Sequence, residues 1–389
     1  MPRNLGISWP LSSISGYGVY GTQLALSHVK GGASQVMLFQ APLALTLGPL
    51  EQRLLGPALA GAAKLEALLS GSGGERLDCP HAVLHGVGND FATHEVSDRL
   101  KGTPDIGCIA FESTRFSPEG LEKGRRFDAL IAISAWNAER LKGLGFKDVR
   151  LFHQGIDASL FHPAPSSQLL PGRFVVFSGG KLEYRKGQDI AVAAFRRFQA
   201  RHPEAILLAS WQTPNPDDSL PFALAGHVEG VLAKDGRGGL EIASWLAANG
   251  LPPGSFHDLG WVPHPLLAPV LREAHLAIFP NRCEGGTNLV AMECIACAVP
   301  TILAANTGQL DLIEQTGCRG LAKQGPVRSP HPLLGVEGWG ESDVEELDAA
   351  MEAVFSSYAS ERAKAEQAAR RIALWNWDDQ NRPLLDSLY

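Results

Sequence analysis

Short apolar runs alternate with helical patterns along the whole 389-residue chain. The runs are rich in Val, Ile, Leu and Phe, and read as strands of parallel α/β units. In the first half they fall at 5–9, 36–39, 82–85, 106–111, 130–133 and 149–152, with helices near 20–30, 50–70, 119–126 and 135–144 between them. Ser117, Pro118 and Glu119 spell a helix start: a cap, a proline where no N–H is needed, then an acid. Ser134 caps the helix that carries Trp136 and Asn137. Residues 153–172 show little regular pattern and several prolines, and read as a junction between domains. The second half restarts with strands at 174–178, 205–209, 256–259, 276–279 and 301–304. Its helices lie near 188–201, 240–249, 265–274, 288–297, 308–315, 343–357 and 361–374. The polar stretch from Gln212 to Arg237, rich in Gly, Pro and Asp, reads as a surface insertion. The expected fold is α/β: two Rossmann-like, doubly wound parallel-sheet domains at 1–163 and 164–374, with a closing segment at 375–389. Such sheets bind ligands at the carboxyl ends of their strands, here in a cleft between the domains.

Length agrees with two domains, and a hydrophobic content of 45% is ample for two cores. A net charge of −7 gives no general basic footprint, so nucleic acid is not an expected partner. Six scattered cysteines fit a reducing, cytoplasmic setting. The N-terminus MPRNLGISWP lacks the apolar core of a signal peptide, and no run approaches the ~20 apolar residues of a membrane span. Composition leaves peripheral membrane contact open.

The chemistry concentrates in 279–300, FPNRCEGGTNLVAMECIACAVP. An apolar strand runs out at Pro280, a glycine-bearing turn follows, and a helix starts at Thr287 or Asn288, both good caps. Leu289, Val290, Met292, Ile295 and Ala296 give that helix a buried face. Its free first-turn amides, with the positive end of the helix dipole, form an anion site. Glu293 lies one to two turns in, among apolar neighbours, where a carboxylate wants a hydroxyl or amide partner. Glu284 faces the same mouth. An anion site flanked by two carboxylates suits a sugar nucleotide, with diphosphate, ribose and hexose in a row.

A second motif, FSGGKLEYRKGQD at 177–189, follows a strand and opens a helix. Lys181, Arg185 and Lys186 crowd one turn, which is costly unless an anion joins them. At ~4 Å and an effective dielectric of ~20, each lysine gains on the order of 4 kcal/mol with a diphosphate charge before desolvation. The alternative is a solvated basic turn. Near the N-terminus, Gly16, Gly18 and Gly21 match Gly-x-Gly-x-x-Gly after a strand. A nicotinamide fingerprint also needs an acid at the end of the next strand, which here ends at Gln40. His85 and Glu112 are each expected at a strand end; a core-satisfied His and a capping Glu are the plain alternatives. Cys294 and Cys297 form a Cys-x-x-Cys without further ligands at zinc spacing, so packing is expected and no metal site is assigned.

The stretch Glu284, Gly285, Gly286, Glu293, Ala296, Cys297, Val299, Pro300 resembles the signature of retaining glycosyltransferases of family 4, in the GT-B fold class. The gap between the two glutamates is one residue longer than is usual there. The resemblance is most specific at 178–189, 258–263 and 279–310. It implies that Lys181 and Lys186 clamp the donor diphosphate beside Arg185, with Lys181 where arginine is commoner. It implies that Gly286 and the amides of Thr287, Asn288 and Leu289 receive the phosphates. Glu293 would hold the ribose and Glu284 the hexose. Gly18 and Val19 would sit in a glycine loop reaching the donor, with Tyr17 where a further glycine is usual. Main-chain groups near Trp261 and Val262 would read the nucleobase, UDP or GDP. The loop from Asn306 would lie near the hexose. Glu112 and His85 would face the acceptor. The implied activity is a metal-independent, retaining transfer of a hexose from a nucleoside-diphosphate sugar to a hydroxyl of a glycan, lipid, protein or small molecule. No cofactor is implied beyond that co-substrate. The resemblance also implies domain closure around the donor, and a last segment crossing back to the first domain. Three alternatives stand beside it. One is a non-catalytic sugar-nucleotide binder. Another is a NAD-dependent oxidoreductase using the N-terminal glycines. The third is a same-fold phosphorylase or epimerase.

Overall fold

A computed structural model describes residues 4–389 except 31, 33–34, 72–74, 214–221, 223 and 237–238. Much of the predicted insertion between Gln212 and Arg237 therefore lies outside the described residues. The contacts divide the chain into two units. The first comprises Met1–Asp157, Pro263–Pro265 and Trp375–Tyr389; the second comprises Ala158–Val262 and Leu266–Leu374.

In the first unit the elements run β1 (Leu5–Ile7), α1 (Gly16–Lys30), β2 (Val36–Leu38), α2 (Pro49–Ser70), β3 (Ala82–Val87), β4 (Asp105–Ile109), α3 (Pro118–Gly124), β5 (Ala129–Ala132), α4 (Ala135–Gly143) and β6 (Val149–Leu151). All six strands pair in parallel, in the order β2-β1-β3-β4-β5-β6. The central strands are buried along their whole length, as their largely apolar runs lead one to expect, with His85 and Asp105 the buried polar exceptions. Both predicted serine caps form. Ser117 Oγ accepts from the Gly120 amide, and Ser134 Oγ from that of Asn137. The last segment folds as a helix from Trp377 to Asp386. Trp377 stacks on Tyr20 at 6.0 Å, and Ser27 donates to Asp378 at 2.9 Å.

Two expectations for this unit are corrected. The N-terminal glycines are not a loop: α1 begins at Gly16 and takes in Gly16, Gly18, Val19 and Gly21. A Cβ on Gly18 would lie 2.3 Å from the Ser12 Cβ, and one on Gly21 2.6 Å from the Trp9 ring nitrogen. The glycines serve close packing of the 9–12 segment on the helix, which outweighs their poor helix propensity. Tyr17 is half-buried, with its hydroxyl set at the ends of β3 and β4. Its hydroxyl donates to the Val87 carbonyl at 2.6 Å and accepts from the Ala110 amide at 2.8 Å. His85 does not end its strand either, because β3 continues to Val87 and the imidazole lies fully buried.

The second unit continues with β7 (Phe174–Gly179), α5 (Gln188–Arg201), β8 (Ala205–Ser210), α6 (Ile242–Ala248), β9 (Phe256–Asp258), α7 (Leu267–Glu273), β10 (Leu276–Phe279), α8 (Leu289–Ala296), β11 (Thr301–Ala304), α9 (Gln309–Thr316), β12 (Arg319–Leu321), α10 (Val344–Ser356) and α11 (Tyr358–Ile372). Its strands are again all parallel, ordered β9-β8-β7-β10-β11-β12. The order reverses between β7 and β10, so the loops after those two strands diverge to opposite faces and leave a crevice at their carboxyl ends. A two-stranded antiparallel pair, Gln324–Gly325 with Glu341–Ser342, lies outside the main sheet. Among the described residues, no helix is long and apolar enough to cross a membrane.

Candidate functional site

The two motif loops meet at the reversal point of the second sheet. After β7, Tyr184–Lys186 form a tight 3₁₀ turn and α5 starts at Gln188. After β10, the turn from Pro280 leads into α8, which Asn288 caps. Asn288 adopts the left-handed conformation at φ 67°, tolerated by asparagine more readily than by most residues. Its Oδ1 accepts from the Ala291 amide at 3.4 Å, while its Nδ2 is buried without a partner. The amides of Leu289 and Val290 fall in the first turn, where a helix provides no acceptor. Met292, Ile295 and Ala296 are buried as their spacing predicts, with Leu289 and Val290 half-buried. Thr287 is fully buried and Gly286 half-buried.

A third loop, after β11, presses on the second. The Thr307 hydroxyl accepts from the Glu284 amide at 2.9 Å, and the Gly308 amide donates to the Glu284 carbonyl at 3.0 Å. A Cβ on Gly308 would stand 2.0 Å from the Gly286 carbonyl oxygen, so only glycine permits this approach. Asn306 donates to the Asn281 carbonyl at 2.9 Å.

The three cations of the basic turn face two carboxylates. Lys181 reaches Glu183 at 3.7 Å, and Arg185 reaches Glu183 at 2.7 Å and Glu284 at 3.2 Å. Lys186 and Asn281 both donate to Glu284 Oε1. Burial alone would raise the Glu183 carboxyl, but Arg185, Lys181 and Lys186 outweigh it and hold the group below its ordinary value. Glu284, expected beside the hexose, is thus engaged by the cations expected at the phosphates. Glu293 is buried in α8 at 4% exposure. Trp261, 42% exposed, and half-buried Val262 follow the edge strand β9.

Sequence reasoning passed over the residue that holds this turn together. Arg282 is fully buried. Its guanidinium makes a bidentate pair with Asp189 at 2.8 and 2.6 Å, and donates to the Tyr184 carbonyl at 2.7 Å and to Glu341 at 2.5 Å. It also lies 4.1 Å over the Tyr184 ring. Arg282 therefore ties the turn after β10 to the basic turn after β7 and the start of α5. The available signal was an arginine between Asn281 and Cys283 at a strand end, and an aspartate in the first turn of the helix after the lysines. His227 extends the chain, meeting Glu341 at 2.6 Å. Burial would raise the Glu341 carboxyl, but hydrogen bonds from His227 and Arg282 hold it at about 2. The hydrogen bond to Glu341 raises His227 above its ordinary value. A depressed carboxyl contributes stability above its unfolded value and loses it as pH falls through the folded one. A raised imidazole contributes below its unfolded value and loses it as pH rises through the folded one. Unfolding free energy should therefore fall between the ordinary carboxyl value of 4.5 and about 2, and Glu341→Gln should flatten that acid limb in urea titrations. An acid limb unchanged by the substitution would refute the pairing.

In the first unit His85 and Glu112 are not alike. His85 Nε2 pairs with Asp105 at 2.7 Å inside the core, against the Phe127 ring. Its run, AVLHGV, stays apolar past the histidine, and Asp105, also bound by Arg76, makes the burial affordable. Glu112 is half-buried just beyond β4, its amide bonded to Asn89 Oδ1 at 2.7 Å. Cys294 and Cys297 are buried, and burial raises the thiol of each.

Comparison with known proteins bears on this geometry. Residues 266–384 match the family described as family 4 glycosyltransferase in conflict systems. The D-inositol 3-phosphate glycosyltransferase 1 of Catenulispora acidiphila is 30% identical over 211 residues, covering 51% of this chain and 46% of that protein. The chain spans about half the length of the curated relatives it matches. Among solved structures, sucrose-phosphate synthase from Thermosynechococcus elongatus superposes with a TM-score of 0.65 at 16% identity, over 98% of this chain and 97% of that one. HepE from Anabaena, solved with UDP and glucose, superposes with a TM-score of 0.65 at 14% identity, over 100% and 99%. Sheet order, strand sense and these superpositions agree: the chain has the GT-B fold, and its residues 266–384 are similar to the family 4 glycosyltransferases of conflict systems.

Proposed function

We propose that the protein is a nucleotide-sugar-dependent glycosyltransferase that moves a hexose to an acceptor hydroxyl with retention at the anomeric carbon and without a metal ion. The observation that carries this reading is the convergence, at the carboxyl ends of adjacent β7 and β10, of a three-cation turn and the capped start of α8. Lys181, Arg185 and Lys186 act on the diphosphate from one side, and the amides of Thr287, Asn288 and Leu289 from the other. Together they stabilise the charge that develops as the diphosphate leaves. Glu293 holds the ribose hydroxyls. The acceptor attacks from the face that the diphosphate vacates, and Glu112 is the acceptor-side residue proposed in the first unit. The main chain near Trp261 and Val262 receives the base. HepE, whose structure contains UDP and glucose, supports this ligand class.

A thermal-shift panel of UDP, GDP, ADP and their sugars tests the reading. One nucleoside diphosphate should raise Tm, the added unfolding free energy being about 2.7 kcal/mol at 100 times its Kd. Protection by NAD(H), with none by any diphosphate, would overturn it. Turnover of the matching nucleotide sugar, even as slow hydrolysis, separates the enzyme from a silent binder, and inorganic phosphate as acceptor would expose a phosphorylase.

A further inference from the structure

Glu284 sits where the cations of the site converge. Its Oε1 accepts from Lys186 Nζ and Asn281 Nδ2, and its Oε2 from Arg185 at 3.2 Å. Side-chain exposure is 5% for Glu284, 12% for Lys186 and 18% for Arg185, so water screens little of this contact. We propose that Glu284 is an internal stand-in for the donor's phosphate: a carboxylate that neutralises Lys186 and Arg185 while the site is empty, and must leave them for the ligand to bind. The inference rests on the nucleotide-sugar reading above and assigns Glu284 a different task from hexose contact.

Two neighbouring cations held this far out of water repel each other, and a carboxylate supplies the charge that allows both to stay. A ligand therefore competes with an anion already in place. An inorganic or ester monophosphate brings about −1.5 to −2 near pH 7, against a single negative charge for the carboxylate it displaces, all on one phosphorus. A diphosphate brings more charge and more acceptor oxygens, enough to engage Lys186, Arg185 and also Lys181, which reaches Glu183 at 3.7 Å. Glu284 thus sets a threshold that favours nucleoside diphosphates over monophosphates. The exchange needs only a side-chain rotation. The backbone of Glu284 is pinned at both ends, its amide by Thr307 and its carbonyl by Gly308, and Gly285 and Gly286 follow without side chains to obstruct the swing.

Glu284→Gln keeps the shape and removes the charge. Calorimetric titration should show the diphosphate that binds the parent binding the variant about tenfold more tightly. The gap between UDP and UMP, or their counterparts, should narrow. Ligand-free Tm should fall, and saturating diphosphate should restore most of it. Equal or weaker diphosphate binding by the folded variant would overturn the inference and leave the nucleotide reading intact. Failure of both proteins to bind any diphosphate would instead sink the nucleotide reading, and this inference with it. If the variant does not fold, a crystal of the parent soaked with the diphosphate decides. A phosphate oxygen in place of the Glu284 carboxylate on Lys186 supports the exchange, and a carboxylate still bonded there refutes it.

Discussion

Arg282→Met should lower the free energy of unfolding by about 3–5 kcal/mol, the cost of removing one partner of a buried ion pair. Asp189 is also fully buried, and without Arg282 its charge would have lost two hydrogen bonds in a region closed to water. Glu341 would keep only His227. Urea titration at neutral pH reads the effect as a fall in midpoint at unchanged slope. Adding Asp189→Asn to Arg282→Met should cost less than the two single losses summed, because the two residues share one interaction. A loss below about 1 kcal/mol would mean that Asp189 finds another partner, and the network would not be what secures the turn. Arg282→Lys should not rescue, since an ammonium cannot present the planar fork that meets both Asp189 oxygens while reaching Glu341.

Glu293→Ala should weaken binding of the nucleoside diphosphate by roughly 10- to 100-fold, about 1.5–3 kcal/mol for hydrogen bonds from ribose hydroxyls to a carboxylate. Pyrophosphate, which has no ribose, should bind parent and variant alike. That comparison matters because Glu293 is 4% exposed, so its loss could act through α8 itself. A parallel loss for pyrophosphate and diphosphate would mean that α8 had shifted and carried its first-turn amides away. No loss for either would remove Glu293 from the ribose.

The alternation of strands and helices was legible because each element is a local pattern. Helix 188–201 and strands 276–279 and 301–304 end where their apolar periodicity and neighbouring turn residues end them. Strand β12, Arg319–Leu321, was not legible; three residues without alternation become a strand only beside β11. The helix start at Asn288 was read from residue types, since a cap acts on amides two or three residues away.

The chain on its own therefore determined the α/β class, the capped start of α8 and the concentration of cations at 181–186, all set by neighbours in sequence. Tertiary structure alone decided how those pieces are used. Arg282 reads as a turn cation until Asp189, 93 positions away, and Glu341, 59 away, are brought to it. The glycines of 16–21 read as a loop until Ser12 and Trp9 pack on them as a helix. His85 reads as a strand end until Asp105, 20 positions on, satisfies it in the core. A buried charge or an absent side chain has its meaning in what lies against it, and contacts between distant segments leave no periodicity in a single chain.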